Sequence, residues 1–182
     1  MPSPIPQSSK HFSWQEIESK IQVEISWLKE KLETFLEIQH GVPVSCKDCI
    51  LRNIATLIVS GRVQASEIKK GSPLKSFWGG NSQSFLRKIH HGSDWHREKM
   101  EEIEAHFLSL GYEVLREPAL DYGRADLGIY SKNTPDLFVE VGTISLFKLW
   151  KNLETMENVI LLIVPNNEEL IEFVKTPYGK SL

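Results

Sequence analysis

Apolar residues in the first part of the chain recur at helical spacing. Four of them are seven residues apart, namely Trp14, Ile21, Leu28 and Phe35. Ile17, Ile25 and Leu32 fall on the same side of a helix. Ser13 and Glu16 have the spacing of a capping box just before this stripe. The pattern therefore predicts a helix from residue 13 to about residue 39.

The seven-residue stripe has two interpretations. It covers barely three heptads, which favours a helix packed on its own domain, and a seam in a homodimer is the alternative. Further helices are predicted from Cys46 to Ser60, where Gly61 follows, and from Ser82 to His90. Residues 1–12 are thus predicted to be a flexible leader and residues 13–92 a helical, basic N-terminal domain.

From residue 94 onward, helical periods alternate with short strand-like runs. Helices are predicted over 94–110, 145–156 and from Pro165, and strands over 112–116, 123–130, 136–142 and 158–164. The run from Val159 to Val164 has no polar position, so its strand should be covered on both faces. Residues 93–182 are therefore predicted to form an α/β domain, with a mixed sheet flanked by helices.

Charge is divided unevenly between these two parts. The net charge of −3 combines +4 over residues 1–92 with −7 over residues 93–182. This asymmetry predicts metal binding or catalysis in the acidic part and contact with a polyanion in the basic part, although a merely solvated basic surface is the alternative. No apolar run approaches the ~20 residues of a membrane-spanning helix, and we expect a cytoplasmic protein with no membrane contact.

Two carboxylates are predicted to face each other on a hairpin in the acidic part. A loop at 131–135 sets a register in which Asp126 lies opposite Glu140, and Arg124 opposite Gly142, all on one face. Opposed carboxylates repel, and their oxygens are ligands that suit Mg²⁺ or Mn²⁺. We predict a metal site at Asp126 and Glu140. In the alternative interpretation one carboxylate faces solvent and the other binds Arg124.

The same region carries a series of short motifs in a recognisable order. They are Gly111-Tyr112-Glu113-Val114, Arg116-Glu117-Pro118, Arg124-Ala125-Asp126-Leu127 and Phe138-Val139-Glu140-Val141-Gly142. Over about residues 94–174 the chain resembles the PD-(D/E)XK nuclease superfamily, which includes restriction endonucleases and archaeal Holliday-junction resolvases. The resemblance implies an αβββαβ restriction-endonuclease-like fold. It also implies Mg²⁺ (or Mn²⁺) at Asp126 and Glu140, and metal-dependent endonuclease activity on DNA, including branched or structured DNA.

The chain departs from that superfamily at the position of its lysine, which is Gly142 here. The missing cation would have to come from Arg124, or from Lys148 or Lys151 on the following helix, and Lys148 is favoured because it lies in the first turn. Without such a cation the fold would be a catalytically inactive nuclease acting as a nucleic-acid-binding or assembly module, which is the second hypothesis.

A second departure lies on the helix that begins near residue 94. The superfamily often carries an inward-facing Glu on this helix, whereas Met100 occupies the inner face here. Glu101 and Glu104 flank Met100, and Glu104 is nearer to the apolar stripe. Both are candidate catalytic residues, unless this Glu has been lost.

The remaining chemistry lies in the basic part. Cations and aromatic rings suit phosphates and unpaired bases, and they predict nucleic-acid binding by Lys69, Lys70, Lys75, Trp78, Arg87 and Lys88. Cys46 and Cys49 form a C-x-x-C pair, which is a weak zinc signal because tetrahedral zinc needs four ligands. Buried structural thiols are the favoured interpretation, and zinc is the alternative.

Overall fold

The computed structural model describes residues 13–32, 44–68, 94–132, 134–165 and 170–175, apart from the side chains at positions 44–46. The described chain is mixed α/β, as predicted. Its helices are α1 (Trp14–Leu32), α2 (Val44–Val59), α3 (Asp94–Ser109) and α4 (Leu146–Thr155). Its strands are β1 (Gln64–Ile68), β2 (Glu113–Arg116), β3 (Leu127–Tyr130), β4 (Asp136–Val141), β5 (Val159–Val164) and β6 (Leu170–Lys175).

The strands form one six-stranded mixed sheet in the order β1-β6-β5-β4-β3-β2. β4 and β5 are parallel, and the other neighbouring pairs are antiparallel. β5 lies between β4 and β6 and is buried at every position except Ile160, which is partly buried. The absence of polar residues in this run therefore correctly predicted a strand covered on both faces.

Alternating side chains of the central strands enter two hydrophobic clusters, one on each face of the sheet. Phe138 and Leu161 belong to a cluster that includes residues of α1, α2 and α4. Val139 and Leu162 belong to a second cluster that includes residues of α3. The order of elements from α3 to β5 is α-β-β-β-α-β, which is the order predicted for residues 94–164.

Residues before and after position 93 contribute to the same sheet and the same cluster. β1 pairs with β6, and Ile21 and Leu28 of α1 are buried in the cluster that contains Leu149 and Leu153 of α4. The boundary predicted between residues 92 and 93 therefore does not separate two cores in the described chain.

Two elements differ from the sequence prediction. The prediction of a final helix after Pro165 was wrong, because Leu170–Lys175 form strand β6 beside β5. The prediction of a mostly helical N-terminal region did not include β1, which completes the sheet at the other side of β6. β1 has five residues and β6 has six, and both strands contain apolar and charged residues. Such short segments become strands because they pair with neighbouring strands, which the local sequence pattern does not reveal.

The start of α1 confirms the predicted capping box. The Ser13 amide donates to Glu16 Oε2 at 2.6 Å, and the Glu16 amide donates to Ser13 Oγ at 3.2 Å. Ile21 and Leu28 are buried against the chain's own core, while Trp14 is 86% exposed. The stripe thus packs within the domain, and the homodimer stays a prediction. The leader at 1–12 and the predicted helical segments at 33–39 and 82–90 lie outside the described residues.

No helix of the described chain is both long and apolar enough to cross a membrane.

Leu28→Ala tests whether α1 belongs to this core. Leu28 is fully buried, so truncation should lower the free energy of unfolding by about 2–5 kcal/mol in urea titrations. Val23→Ala is the matched control on the same helix, because Val23 is 64% exposed and its truncation should change stability little. A normal stability for Leu28→Ala, together with a change in sedimentation, would instead place this face in a dimer.

Candidate functional site

The β3–β4 hairpin has the register that the loop length predicted. Leu127 pairs with Val139, and Ile129 pairs with Leu137. β3 is shorter than predicted, since it begins at Leu127 rather than at residue 123. Asp126 lies just before the strand, and its amide donates to the Val139 carbonyl at 3.0 Å. The ladder is therefore distorted at the position of the first carboxylate.

This distortion turns the Asp126 carboxylate toward the end of β4. Its Oδ2 accepts a hydrogen bond from the Val141 amide at 2.7 Å. The same oxygen lies 3.4 Å from Nε2 of His96, a buried residue in the first turn of α3. The Asp126 side chain is 14% exposed, so it is largely enclosed between β4 and α3.

Glu140 is a buried carboxylate in the middle of the sheet. Its side chain is 6% exposed, and its Oε1 lies 2.5 Å from Nζ of Lys148 on α4. Lys148 Nζ also donates to the backbone carbonyl of Arg124, two residues before Asp126. The ammonium thus joins β4 to the segment that leads into β3. A buried charge needs such a partner, because desolvation without one is costly.

Asn152 holds the loop before β3 against α4. Its side-chain oxygen accepts from the Tyr122 amide at 2.9 Å, and its Nδ2 donates to the Tyr122 and Lys148 carbonyls, both at 2.9 Å. Gly123 turns beside it at φ +86°, where a Cβ would lie 3.5 Å from Cδ of Lys148. The loop therefore lies along the Lys148 side chain and is tied to the helix that carries it.

Gly142 also has a backbone conformation that favours glycine. Its φ is +91°, and its amide donates to the Val164 carbonyl at 2.8 Å. A lysine here would adopt a left-handed conformation that side chains other than glycine rarely occupy. The turn at this position therefore favours glycine, and Lys148 brings an ammonium to Glu140 from α4.

Several predicted site residues lie elsewhere. The predicted opposition of Arg124 and Gly142 was wrong, because Arg124 bridges to Ala119 and its side chain is 69% exposed, 4.0 Å from Glu117. This happens because the chain turns at Gly123 before the strand begins. Lys151, the other helical candidate, forms an ion pair with Glu154.

The acidic candidates of α3 are also displaced from Asp126. Glu104 pairs with Arg116 on β2, and Glu101 is exposed. Glu104 follows His96 by eight residues, which is about 12 Å along a helix. Sequence reasoning missed His96, although its spacing with Met100, Ile103 and Phe107 gives the helical period of this buried face.

The candidates in the basic part are largely outside the described residues. This applies to Lys69, Lys70, Lys75, Trp78, Arg87 and Lys88, and to the side chain of Cys46. Cys49 is exposed, so the expectation that both cysteines are buried thiols was wrong for this one.

Among the described residues, the donor groups around Asp126 are few. In the described part of the chain, no group of three or more His, Cys, Asp or Glu side chains is arranged to hold a metal ion. Mg²⁺ commonly uses one or two carboxylates and completes its octahedron with water and substrate phosphate oxygens. Asp126 and Glu140 are two enclosed carboxylates, and their side chains contact different elements, with Asp126 beside His96 of α3 and Glu140 beside Lys148 of α4. An imidazole such as that of His96 is a nitrogen ligand that a later transition metal accepts more readily than Mg²⁺ does.

Comparison with protein-family models, with curated proteins and with solved structures found no match to this chain.

Asn152→Ala tests the tether between the loop and α4. Losing three partly buried hydrogen bonds should lower the free energy of unfolding by about 1–3 kcal/mol and speed hydrogen exchange at the Tyr122 amide. Thr155→Ala is the control on the same helix, because Thr155 is exposed. Unchanged exchange at Tyr122 in Asn152→Ala would contradict the tether.

Proposed function

We propose that the protein is a metal-dependent nuclease that hydrolyses phosphodiester bonds in DNA, with its reaction centre at Asp126, Glu140 and Lys148. The observation that supports this most is the enclosed pair of Glu140 and Lys148, next to the backbone amide that the Asp126 carboxylate binds. Asp126 binds the Val141 amide beside Glu140, and Lys148 reaches both Glu140 and the Arg124 carbonyl. Enclosed carboxylates that lie close to a cationic side chain are frequent at functional sites.

The metal would be held by the carboxylates of Asp126 and Glu140. When bound, a divalent cation there supplies Lewis-acid stabilisation of a phosphoryl oxygen and an acidified water. His96 lies 3.4 Å from Asp126 Oδ2, where the imidazole orients this carboxylate or adds a ligand. The enclosure of Glu140 strengthens every charge interaction at the centre, because little water screens it.

Lys148 would provide the second positive charge that phosphodiester hydrolysis needs. Negative charge on the phosphoryl oxygens is best stabilised by a group already in place before the reaction. The contacts of Lys148 with Glu140 and the Arg124 carbonyl hold its ammonium in position. This supports Lys148 over Arg124 in the role that the superfamily gives to its motif lysine.

One observation favours the second candidate function, a catalytically inactive nucleic-acid-binding or assembly module. The Lys148 ammonium lies 2.5 Å from Oε1 of Glu140 and so already compensates the charge that a metal would neutralise. An ion pair of this kind also stabilises a fold that has no activity. The two functions differ in one measurable property, which is cleavage.

Asp126→Asn and Glu140→Gln should each abolish metal-dependent cleavage. Supercoiled and branched DNA would be incubated with Mg²⁺, Mn²⁺ or EDTA, and each variant should cut at least about a hundredfold more slowly than wild type. Glu117→Gln is the matched control, because Glu117 is an exposed carboxylate of the same loop region.

Circular dichroism should show that the variants remain folded. A wild-type rate in either site variant would place the reaction centre elsewhere. Binding of DNA by the wild type without cleavage under any divalent ion would favour the inactive module.

Lys148→Met should reduce turnover much more than DNA affinity, and Arg124→Met should reduce turnover less. The reason is that Lys148 contacts Glu140, whereas the Arg124 side chain is 69% exposed. Single-turnover rates at saturating DNA separate turnover from affinity. Lys132→Met is the control, since Lys132 is exposed in the hairpin loop. Normal turnover in Lys148→Met and in the Lys148→Met/Arg124→Met double variant would refute the relocated cation.

A further inference from the structure

The ion pair of Glu140 and Lys148 places a positive charge on a carboxylate that the fold encloses. The Glu140 side chain is 6% exposed and that of Lys148 is 22% exposed, and Nζ lies 2.5 Å from Oε1. Charges in such surroundings interact strongly, because little water screens them. The Lys148 ammonium therefore supplies a counter-charge that this buried carboxylate requires.

Lys148 would repel a divalent cation that binds to Glu140. Both positive charges would lie beside one carboxylate, and their repulsion is large where the protein excludes water. A gain of charge by the metal would thus be offset by the ammonium that is already in contact with Oε1. Each cation should therefore lower the affinity of the other for Glu140.

The Lys148 side chain has a second acceptor within reach. Its Nζ also donates to the Arg124 carbonyl. The backbone of Lys148 is fixed independently, because its amide donates to Ser145 Oγ at 3.4 Å and its carbonyl accepts from Asn152 Nδ2 at 2.9 Å. The ammonium can therefore leave Glu140 and keep the Arg124 carbonyl while α4 stays in place.

We infer that Lys148 is an intramolecular competitor of the divalent cation at Glu140 and that it keeps the metal affinity of the protein low. The inference rests on the proposed function for the presence of a metal at this carboxylate, and it adds a way in which metal binding is regulated. A bound phosphate group offers the ammonium a new anionic partner, so DNA and the metal should bind cooperatively. Lys148 thereby favours the metal-loaded state in the complex with DNA.

Lys151 provides a matched comparison on the same helix. Its side chain is 20% exposed, close to the 22% of Lys148, and its ammonium forms an ion pair with Glu154. The Glu154 side chain is 39% exposed and is not part of the proposed reaction centre. Removing the two lysines in turn therefore separates a loss of charge at Glu140 from a loss of charge elsewhere on α4.

Binding of Mn²⁺ alone, measured without DNA by electron paramagnetic resonance of the free ion, tests the competition. Lys148→Met should bind Mn²⁺ at least about tenfold more tightly than wild type, because the repulsion is removed. Lys148→Arg keeps a cation and should bind Mn²⁺ about as weakly as wild type, as should Lys151→Met. Adding Glu140→Gln to Lys148→Met should abolish the gain.

Thermal unfolding gives a second readout, which also reports the stability of Lys148→Met. This variant leaves a buried carboxylate without its ammonium, so it should melt at a lower temperature than wild type when no metal is added. Added Mn²⁺ should raise its melting temperature more than that of wild type, because a ligand that binds the native state more tightly stabilises it more. Lys148→Gln, which retains a hydrogen-bond donor for Glu140, replaces Lys148→Met in both measurements if the latter does not fold.

Three results would overturn the inference. One is an Mn²⁺ affinity in Lys148→Met that equals or falls below that of wild type. Another is a gain in affinity that persists when Glu140→Gln is added. The third is an absence of measurable Mn²⁺ binding in both wild type and Lys148→Met.

The inference and the proposed function can fail separately. Tighter Mn²⁺ binding in Lys148→Met, in a protein that cleaves no DNA, would support the competition and remove the nuclease. Cleavage that requires Glu140, with no gain of Mn²⁺ affinity in Lys148→Met, would keep the nuclease and remove the competition.

Discussion

The buried ion pair between Glu140 and Lys148 is the constraint on which the rest of the site depends. A carboxylate that is 6% exposed in the middle of a sheet is strongly destabilising unless a cation accompanies it. Lys148 meets this need only if α4 lies over β4 with its first turn at that position. Ser145 caps the helix by accepting from the Lys148 amide, and Asn152 ties the preceding loop to the same helix. The same contacts therefore determine the positions of α4, of the loop before β3 and of the Lys148 ammonium.

Helices on both faces of the sheet contribute side chains to the candidate site. The face that holds Phe138 is covered by helices that include α4, and the face that holds Val139 is covered by α3. Lys148 approaches Glu140 from α4, and His96 approaches Asp126 from α3. The distortion at Asp126 makes this possible, because it lets the carboxylate bind the Val141 amide at the end of β4. A regular ladder would have directed both carboxylates to one face.

The sequence predicted the parts of the site that depend on local rules. Loop length and strand alternation determine the register of Leu127 and Val139, and the first-turn position of Lys148 follows from a Ser cap. The side chain of Arg124 could not be placed, because nothing in the alternation marks the turn at Gly123. β6 could not be recognised, because a strand with charged positions forms only where β1 and β5 are available to pair. His96 has the helical spacing of the buried face of α3. The superfamily resemblance implied an acidic residue on that helix, and it therefore favoured Glu101 and Glu104 over a histidine.

The backbone at position 142 favours glycine, whereas α4 places a lysine beside Glu140. β4 ends at Val141, and Gly142 turns at φ +91° while its amide remains bonded to Val164. Lysine in that conformation would be strained, and changing the turn would break the hydrogen bond to β5. A cation delivered from α4 avoids this strain, but its position then depends on the loop that Asn152 holds and that carries Tyr122. Any ligand that moves this loop would also move the carbonyl of Arg124, to which the Lys148 ammonium donates. The loop that carries Tyr122 and the Lys148 ammonium are therefore held by the same set of contacts.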